Sequence, residues 1–420
     1  MDTISELVYN EMLKKEYWER AYERLATKPQ IDTFVRDTLY YVKEGNEYKD
    51  LALQVCNGTY AWSTPEKLLL SKVGTTKKRV VYMYSMQDRF VLGVLYRALN
   101  TLFDDRVSVN CFSYKRGVNT SAAIKHIDKI KSGQSMFGVK LDISAYFNSI
   151  DRGHLNNCLT ELFGKDSTIR KSMDGLFNND IITYKGTELS EYKAMIPGCA
   201  LGSFFANYCL REIDFYFDDK KVVYARYSDD IILLDTTREK VDSHLRYIKN
   251  MLAKYGLSIN EKKYVYFEPN EPIEYLGLSL SDRGIDISEN AKNKLKRTIK
   301  RWIKDARKTI EMEDEPFDKV AKKLIKRLNW KLYKSYVKDA SKFGWAFYAF
   351  RYITVLDSLT EIDYYLRDRL RYLKTGKNNK ANAKALKDED FRDLGVLSLY
   401  DMYKLFHEDF SYYYEIASII

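Results

Sequence analysis

The chain is poor in the residues that make small cross-linked scaffolds: its 420 residues include five cysteines, four histidines and six prolines. Cys56, Cys111, Cys158, Cys199 and Cys209 form no CxxC pair, and His126, His154, His244 and His407 show no metal-like grouping with them. That spacing argues against structural zinc and against a disulfide framework. The first 20 residues carry acids and bases throughout and lack an apolar h-region, which argues against secretion and fits a reducing cytoplasm. The most apolar later stretch, Phe343 to Leu359, is interrupted by Arg351, so it is too short and too charged to span a bilayer and reads as a packed helix. Scarce proline permits long helices over most of the chain.

Basic residues number 69 against 59 acidic ones, a formal +10. The segment Asn290 to Ser335 alone holds 16 basic and 6 acidic side chains, so the whole excess sits there. Charge concentrated in one segment is the footprint of a polyanion contact, which makes nucleic acid the first partner to test. A solvated amphipathic helix would produce the same pattern. At roughly 150 residues per domain, the length suggests about three folding units.

Residues 1 to 55 read as helices with a loop near Pro29. Lys72 to Tyr84 (KVGTTKKRVVYMY) suggests a hairpin carrying Lys77, Lys78 and Arg79, followed by a helix from Gln87 to Leu102. Met136 to Leu141 predicts a strand ending on Asp142. Val222 to Asp235 predicts a hairpin whose tight turn is Ser228-Asp229-Asp230. Ile273 to Asp286 predicts another hairpin, turning at Asp282 to Gly284. From Ser288 the chain is basic and helical, and Lys374 to Lys384 is a basic loop. No internal repeat is visible.

Three aspartates thus fall at strand ends. Phosphoryl transfer in which a hydroxyl attacks an α-phosphate needs two divalent ions, and hard Mg²⁺ prefers carboxylates. The bland alternative is that Asp142 caps a helix and Asp229-Asp230 merely turn a hairpin. Their order and spacing favour the catalytic reading.

From about Thr59 to Ser288 the sequence resembles, block by block, the bacterial reverse transcriptases of the group II intron, retron and defence-associated or abortive-infection group. LDISAYFNSID (Leu141 to Asp151) resembles the first catalytic block, implying a metal-binding role for Asp142 and a steric gate against the ribose 2′-hydroxyl for Phe147. RYSDDIILL (Arg226 to Leu234) resembles the Y-x-D-D block, implying metal or catalytic roles for Asp229 and Asp230. Arg79, with Lys77 or Lys78, lies where the family's fingers contact the incoming triphosphate. Lys115 and Arg116 fall in a Y/F-R-x-G-like stretch that implies nucleic-acid contact. GLSINEKKYVYF places Lys263 where relatives neutralise or protonate pyrophosphate, and Tyr275, Leu276 and Gly277 resemble the primer grip. The basic residues Lys296, Arg297, Lys300, Arg301 and Lys304 sit where a thumb would clasp a duplex. Gly198 and Asn207 match the nucleotide-binding block, but Pro197 occupies the place of its usual glutamine, which positions template and nucleotide in relatives.

The resemblance implies an α+β right-hand polymerase. Its expected parts are N-terminal helices and fingers over 1–110, a palm over 111–286 with a fingers insertion near 152–190, a basic thumb over 287–345 and a helical region over 346–420. It further implies RNA-directed DNA synthesis from dNTPs with Mg²⁺ or Mn²⁺, an RNA template, a DNA primer or product, no membrane, and a role in antiphage defence using a non-coding RNA. Self-assembly into a homo-oligomer is left open. Pro197 motivates an alternative, untemplated synthesis primed by a protein hydroxyl, with Tyr412, Tyr413 and Tyr414 as candidates. A different class, an RNA-binding module with vestigial catalysis, is disfavoured because acids beside a polyanion repel it.

Overall fold

Capping residues set directly ahead of apolar runs start many of the helices. Asp2, Asp32, Ser85, Asp151, Ser167, Thr237 and Ser288 each accept a first-turn backbone N–H. The computed structural model describes residues 1–27, 31–71, 78–131, 135–333, 344–378 and 380–419. Lys77 and the loop at Pro29 lie outside the described residues. Helices and largely antiparallel sheets combine in the α+β class the sequence implies, within two compact units, Met1–Pro269 and Asn270–Ile420.

The first unit opens with α1 (Thr3–Met12), α2 (Lys15–Ala26), α3 (Thr33–Glu44) and α4 (Glu47–Cys56). β1 (Glu66–Ser71) then pairs with β2 (Lys78–Met83), with Ser71 opposite Lys78. The expected hairpin therefore starts earlier than Lys72, on the run Glu-Lys-Leu-Leu-Leu-Ser. α5 (Met86–Leu102) is the central helix of this part. Its Phe90 is fully buried and meets Trp18 of α2 edge-on, with ring centroids 5.1 Å apart.

After α6 (Thr120–Lys131) come β3 (Phe137–Asp142), the short α7 (Tyr146–Ser149), α8 (Arg152–Phe163) and α9 (Thr168–Phe177). A hairpin of β4 (Ile181–Tyr184) and β5 (Thr187–Ser190) joins β1 and β2 in a sheet of order β2-β1-β4-β5. The apolar α10 (Ala200–Tyr208) buries Leu201, Phe204, Phe205 and Ala206, and α11 (Arg211–Asp218) follows it. β6 (Val223–Tyr227), β7 (Asp230–Asp235), α12 (Arg238–Lys254) and β8 (Val265–Phe267) complete the unit. Its second sheet runs β6-β7-β3-β8, every pairing antiparallel, and its middle residues Val139, Leu141, Ile231 and Leu233 are fully buried.

The second unit starts with three short antiparallel strands, β9 (Ile273–Tyr275), β10 (Leu278–Ser281) and β11 (Gly284–Ile287), where the sequence predicts one hairpin. The extra turn is Leu276-Gly277, both in the left-handed region at φ 50° and 84°. Helices α13 (Glu289–Glu313), α14 (Phe317–Tyr333), α15 (Trp345–Phe350), α16 (Asp357–Thr375), α17 (Asp388–Asp393), α18 (Leu399–Glu408) and α19 (Phe410–Ile419) follow. The stretch expected as one packed helix beyond Phe343, itself outside the described residues, is broken between α15 and α16. Thr354 and Val355 both donate their backbone N–H to the Ile285 carbonyl, at 2.7 and 3.0 Å, which pulls the chain onto β11 instead of continuing the helix. No described helix is long and apolar enough to cross a membrane.

Candidate active site

The antiparallel register sets Asp142, the last residue of β3, directly opposite Asp230, the first of β7. Asp229 lies in the two-residue turn joining β6 to β7, where Ser228 takes φ 61°. The Asp229 carbonyl accepts from Ile143 N–H at 3.0 Å, which binds the hairpin tip to the chain after β3. On its other side Asp142 is tied to the segment before β8. Its carbonyl accepts from Asn260 N–H at 2.7 Å, and its carboxylate accepts from Asn260 Nδ2 at 3.1 Å and from Lys263 Nζ.

This crowding has an electrostatic cost. Burial and the neighbouring Asp142 push Asp229 up, against Lys263 and Arg79. Burial and the Asp229 charge push Asp230 up to about 6, against Lys140 and Lys263. Burial works against the charge on Lys263, but its hydrogen bond to Asp142 and the field of all three carboxylates prevail and raise it. The three carboxylates lie near enough for their charges to act on one another with incomplete compensation, and hard oxygen donors of this kind suit a divalent cation.

A fully buried ion pair stands behind the hairpin. Arg226 of β6 donates from Nε to both carboxylate oxygens of Asp214 in α11, at 2.8 and 3.1 Å, and from Nη1 to the Ser228 carbonyl at 3.2 Å. Its Nη2 reaches the Asn207 carbonyl at 3.3 Å, and Tyr224 O–H donates to Asp214 at 2.8 Å. Ser113 Oγ accepts from Ser228 N–H at 2.9 Å and donates to Asn207 Oδ1 at 2.9 Å. Asn207 is therefore buried with both ends of its amide spent on Ser113, since its Nδ2 donates to the Ser113 carbonyl. The sequence expects it to contact nucleotide; in the structure its amide is engaged by Ser113, which also holds Ser228 N–H.

Around the carboxylates, Phe147 of α7 is half-buried and edge-on to Tyr114, 6.3 Å between ring centroids, and Tyr114 Oη lies 3.2 Å from Ser228 Oγ. Lys78 and Arg79 are exposed at the start of β2, and the Arg79 charge is among those acting on Asp229. Gly198 has φ 98°, and a Cβ there would stand 3.1 Å from Val81 Cγ1 and 3.3 Å from the Tyr82 carbonyl. Glycine at this position lets Pro197 dock on β2, where its carbonyl accepts from Tyr82 N–H at 2.8 Å. Lys115 spends its ammonium on the Val107 and Ser108 carbonyls, each at 3.2 Å, whereas Arg116 is exposed.

In the second unit Tyr275 is buried, the Leu276 carbonyl accepts from Tyr348 O–H at 3.0 Å, and the Gly277 carbonyl accepts from Ser288 N–H at 3.0 Å. Arg297, Lys300, Arg301 and Lys304 are exposed along α13. Lys296 differs from these four, being held by Glu361 of α16.

Sequence reasoning misses Arg226, Asp214 and Ser113 as supports of the site, and it misses one side-chain cluster. His154 and Cys158, one turn apart on α8, meet Cys209 after α10, with their ligating atoms all within 4.8 Å of one another. The His-x-x-x-Cys spacing was its only signal. Hydrogen bonding from Cys209, aided by His154 and Arg211, lowers the Cys158 thiol. Arg211 Nη1 lies 3.7 Å from that sulfur.

No curated protein matches this sequence. Among solved structures, the chain is similar to an apo telomerase from Candida tropicalis truncated from its C-terminal domain, with TM-score 0.40 and 13% identity over 54% of this chain and 55% of that one. It is also similar to a telomerase from Candida albicans in complex with a TWJ fragment of telomeric RNA, with TM-score 0.42 and 14% identity over 86% of this chain and 66% of that one. The chain thus spans between about half and two thirds of the length of these structures. The profile of the reverse transcriptase (RNA-dependent DNA polymerase) family matches residues 70–280, a segment that contains Asp142, Asp229 and Asp230 and makes up half of the sequence. The chain belongs to the reverse transcriptase family.

Proposed function

We propose that the protein copies RNA into DNA by attack of a primer 3′-hydroxyl on the α-phosphate of a dNTP. The observation that carries this reading is the cross-strand placement of Asp142 opposite Asp230, with Asp229 next to Asp230 in the turn from β6 to β7. Mg²⁺ or Mn²⁺ held by these three aspartates would supply Lewis-acid stabilisation of the attacking and leaving oxygens. The chain's own groups do the remaining work. Arg79, whose charge acts on Asp229, and the exposed Lys78 beside it on β2 hold the triphosphate. Lys263, kept protonated beside Asp142, neutralises or protonates the departing pyrophosphate. Phe147 stands under the sugar and turns away a 2′-hydroxyl.

On this reading residues 1–110 form N-terminal helices and fingers, 111–286 the palm with a fingers insertion near 152–190, 287–345 the thumb and 346–420 a helical region. Tyr275, Leu276 and Gly277 hold the primer end, and the exposed Arg297, Lys300, Arg301 and Lys304 of α13 follow the duplex phosphates. A dedicated non-coding RNA as template, and service in antiphage defence in the cytoplasm, complete the proposal; they rest on the sequence resemblance.

A second reading, untemplated and protein-primed synthesis, is favoured by one feature: Pro197 offers neither a side-chain amide nor an N–H, and its carbonyl is engaged by Tyr82. Of its candidate tyrosines, Tyr412 is 52% exposed and open to reaction, while Tyr413 is buried. The test is extension of a DNA primer on an RNA template by wild type and by the Asp229→Asn, Asp230→Asn variant, followed by sequencing of the products. Complementary DNA from wild type alone supports templated copying. Product unrelated to the template supports the second reading, and RNA binding without synthesis reduces the chain to a binding module.

A further inference from the structure

Away from the carboxylates, four arginines gather where α2 crosses α5. Arg20 and Arg24 are about one helical turn apart on α2, and Arg89 and Arg97 about two turns apart on α5. The helices meet through small residues: a Cβ on Gly93 would lie 3.6 Å from Cβ of Ala21. Close approach there brings the flanking arginines together.

Among the described residues, no acidic side chain pairs with Arg20, Arg24, Arg89 or Arg97. Arg170, Arg211 and Arg226, by contrast, each hold a carboxylate. Arg89 and Arg97 are half-buried, and the charges that bear on them include other arginines: Arg24 on Arg89, and Arg20 and Arg24 on Arg97. Partial desolvation and like-charge repulsion both raise the energy of such a group, and an external anion relieves both.

The surroundings indicate which anion. Arg24 and Arg89 line a cleft of about 70 Å³ together with Tyr82 and Met83 of β2 and with Gly198. Beside Arg97, Tyr96 O–H donates to the Tyr114 carbonyl at 2.8 Å, and the Tyr114 side chain reaches Phe147 and Ser228. The stripe therefore borders the Pro197-Gly198 turn through Arg24 and Arg89. From Arg89 to Arg97 the helix rises about 12 Å, at roughly 1.5 Å per residue, farther than one phosphate reaches. A row of phosphodiesters supplies anions at such intervals, and the guanidinium fork matches each of them.

We propose that Arg20, Arg24, Arg89 and Arg97 bind the phosphates of the single-stranded RNA that leads to the Pro197-Gly198 turn. This rests on the polymerase reading above and adds the path by which an unpaired strand arrives. The stripe holds the strand by charge and carries no sequence preference, because every contact is to the backbone.

The test measures binding of a labelled RNA–DNA duplex bearing a long single-stranded RNA 5′ overhang, and of the same duplex made blunt, to wild type and to R24Q/R97Q. For the overhang substrate, Kd should rise about tenfold, and the slope of log affinity against log salt should shrink by about 1.4, at roughly 0.7 per phosphate contact. The blunt duplex should be affected far less. R20Q/R89Q, which removes the other two charges, should repeat the pattern, and melting curves check that both variants are folded. Unchanged affinity and slope on the overhang substrate would overturn the proposal, and so would an equal loss on the blunt duplex. Primer extension by wild type separates the two readings. Overhang-specific loss without any wild-type synthesis would leave the RNA path standing and remove the polymerase reading; synthesis without overhang-specific loss would do the reverse.

Discussion

Arg226 and Asp214 form an ion pair in which neither side chain has any exposure, and the arginine's remaining donors reach the Ser228 and Asn207 carbonyls. One cation thus joins β6, α11 and the turn that carries Asp229. Breaking a buried pair strands a charge, whereas replacing both partners with apolar groups is often neutral. Asp214→Asn should therefore lower unfolding free energy by about 3–5 kcal/mol in chemical denaturation. Arg226→Met with Asp214→Leu should recover most of that stability. Polymerase activity should stay low in the double variant, because the bond from Arg226 to the Ser228 carbonyl is gone. Recovery of full activity along with stability would show that the pair only supports the fold.

Removing the charge at Asp229 or Asp230 should have opposite effects on function and on stability. Asp229→Asn or Asp230→Asn should reduce synthesis by about 10³-fold, roughly 4 kcal/mol of transition-state stabilisation. In metal-free protein, Asp230→Asn should raise the melting temperature near neutral pH. The sign follows from the raised Asp230 carboxyl, at about 6 when folded against an ordinary value of 3.8. Ionising it costs the folded state more than the unfolded one, so its penalty grows as pH rises through that window and is absent below it. The gain in the variant should accordingly vanish when melting is repeated below about pH 4.

These predictions rest on residues of unequal legibility. Asp142, Asp229 and Asp230 could be read because apolar alternation locates strand ends to within a residue, and a tight turn between two apolar runs admits one register. Asp214 could not, because its partner lies on another element and periodicity carries no information about which polar groups meet. The family resemblance groups Asn207 with the nucleotide ligands, and its apolar, buried neighbours in α10 account for its burial. The Leu276-Gly277 turn was missed because leucine is not a residue that signals a left-handed φ. The break after α15 was missed for want of proline or glycine; hydrogen bonds to Ile285, distant in sequence, end that helix. The arginine stripe was invisible because its halves are more than sixty residues apart and neither is a charge run.

Phe147 offers a sharper test of substrate choice than of stability. Its ring is half-buried and touches Tyr114 and Tyr146, so Phe147→Ala should cost less than the roughly 3–5 kcal/mol of a fully buried phenylalanine. If it gates the sugar, the ratio of kcat/KM for a ribonucleotide to that for the matching deoxynucleotide should rise by about 10–100-fold, the range a local steric contact provides. An unchanged ratio with a small loss of stability would return Phe147 to the role of a packing residue.

Asp2 provides a pH test that does not involve the carboxylate centre. It caps α1 by accepting from Ser5 N–H at 3.1 Å, and its other oxygen accepts from Thr168 N–H at 2.8 Å and Thr168 Oγ1 at 3.1 Å, which ties α1 to the start of α9. Burial pushes this carboxyl up, but the hydrogen bonds from Thr168 and Ser5 outweigh it and hold the group well below the usual carboxylate range. A carboxyl depressed by folding stabilises the protein fully above its unfolded value, 3.8, and loses that contribution as pH falls toward the folded value. Asp2→Ala should cost about 1 kcal/mol near neutral pH, the size of a lost helix cap. The gap between wild type and variant in urea unfolding should then narrow steadily as the solution is acidified below about pH 4. A gap that is constant with pH would mean that the carboxylate charge at Asp2 contributes nothing and that only the shape of the cap matters.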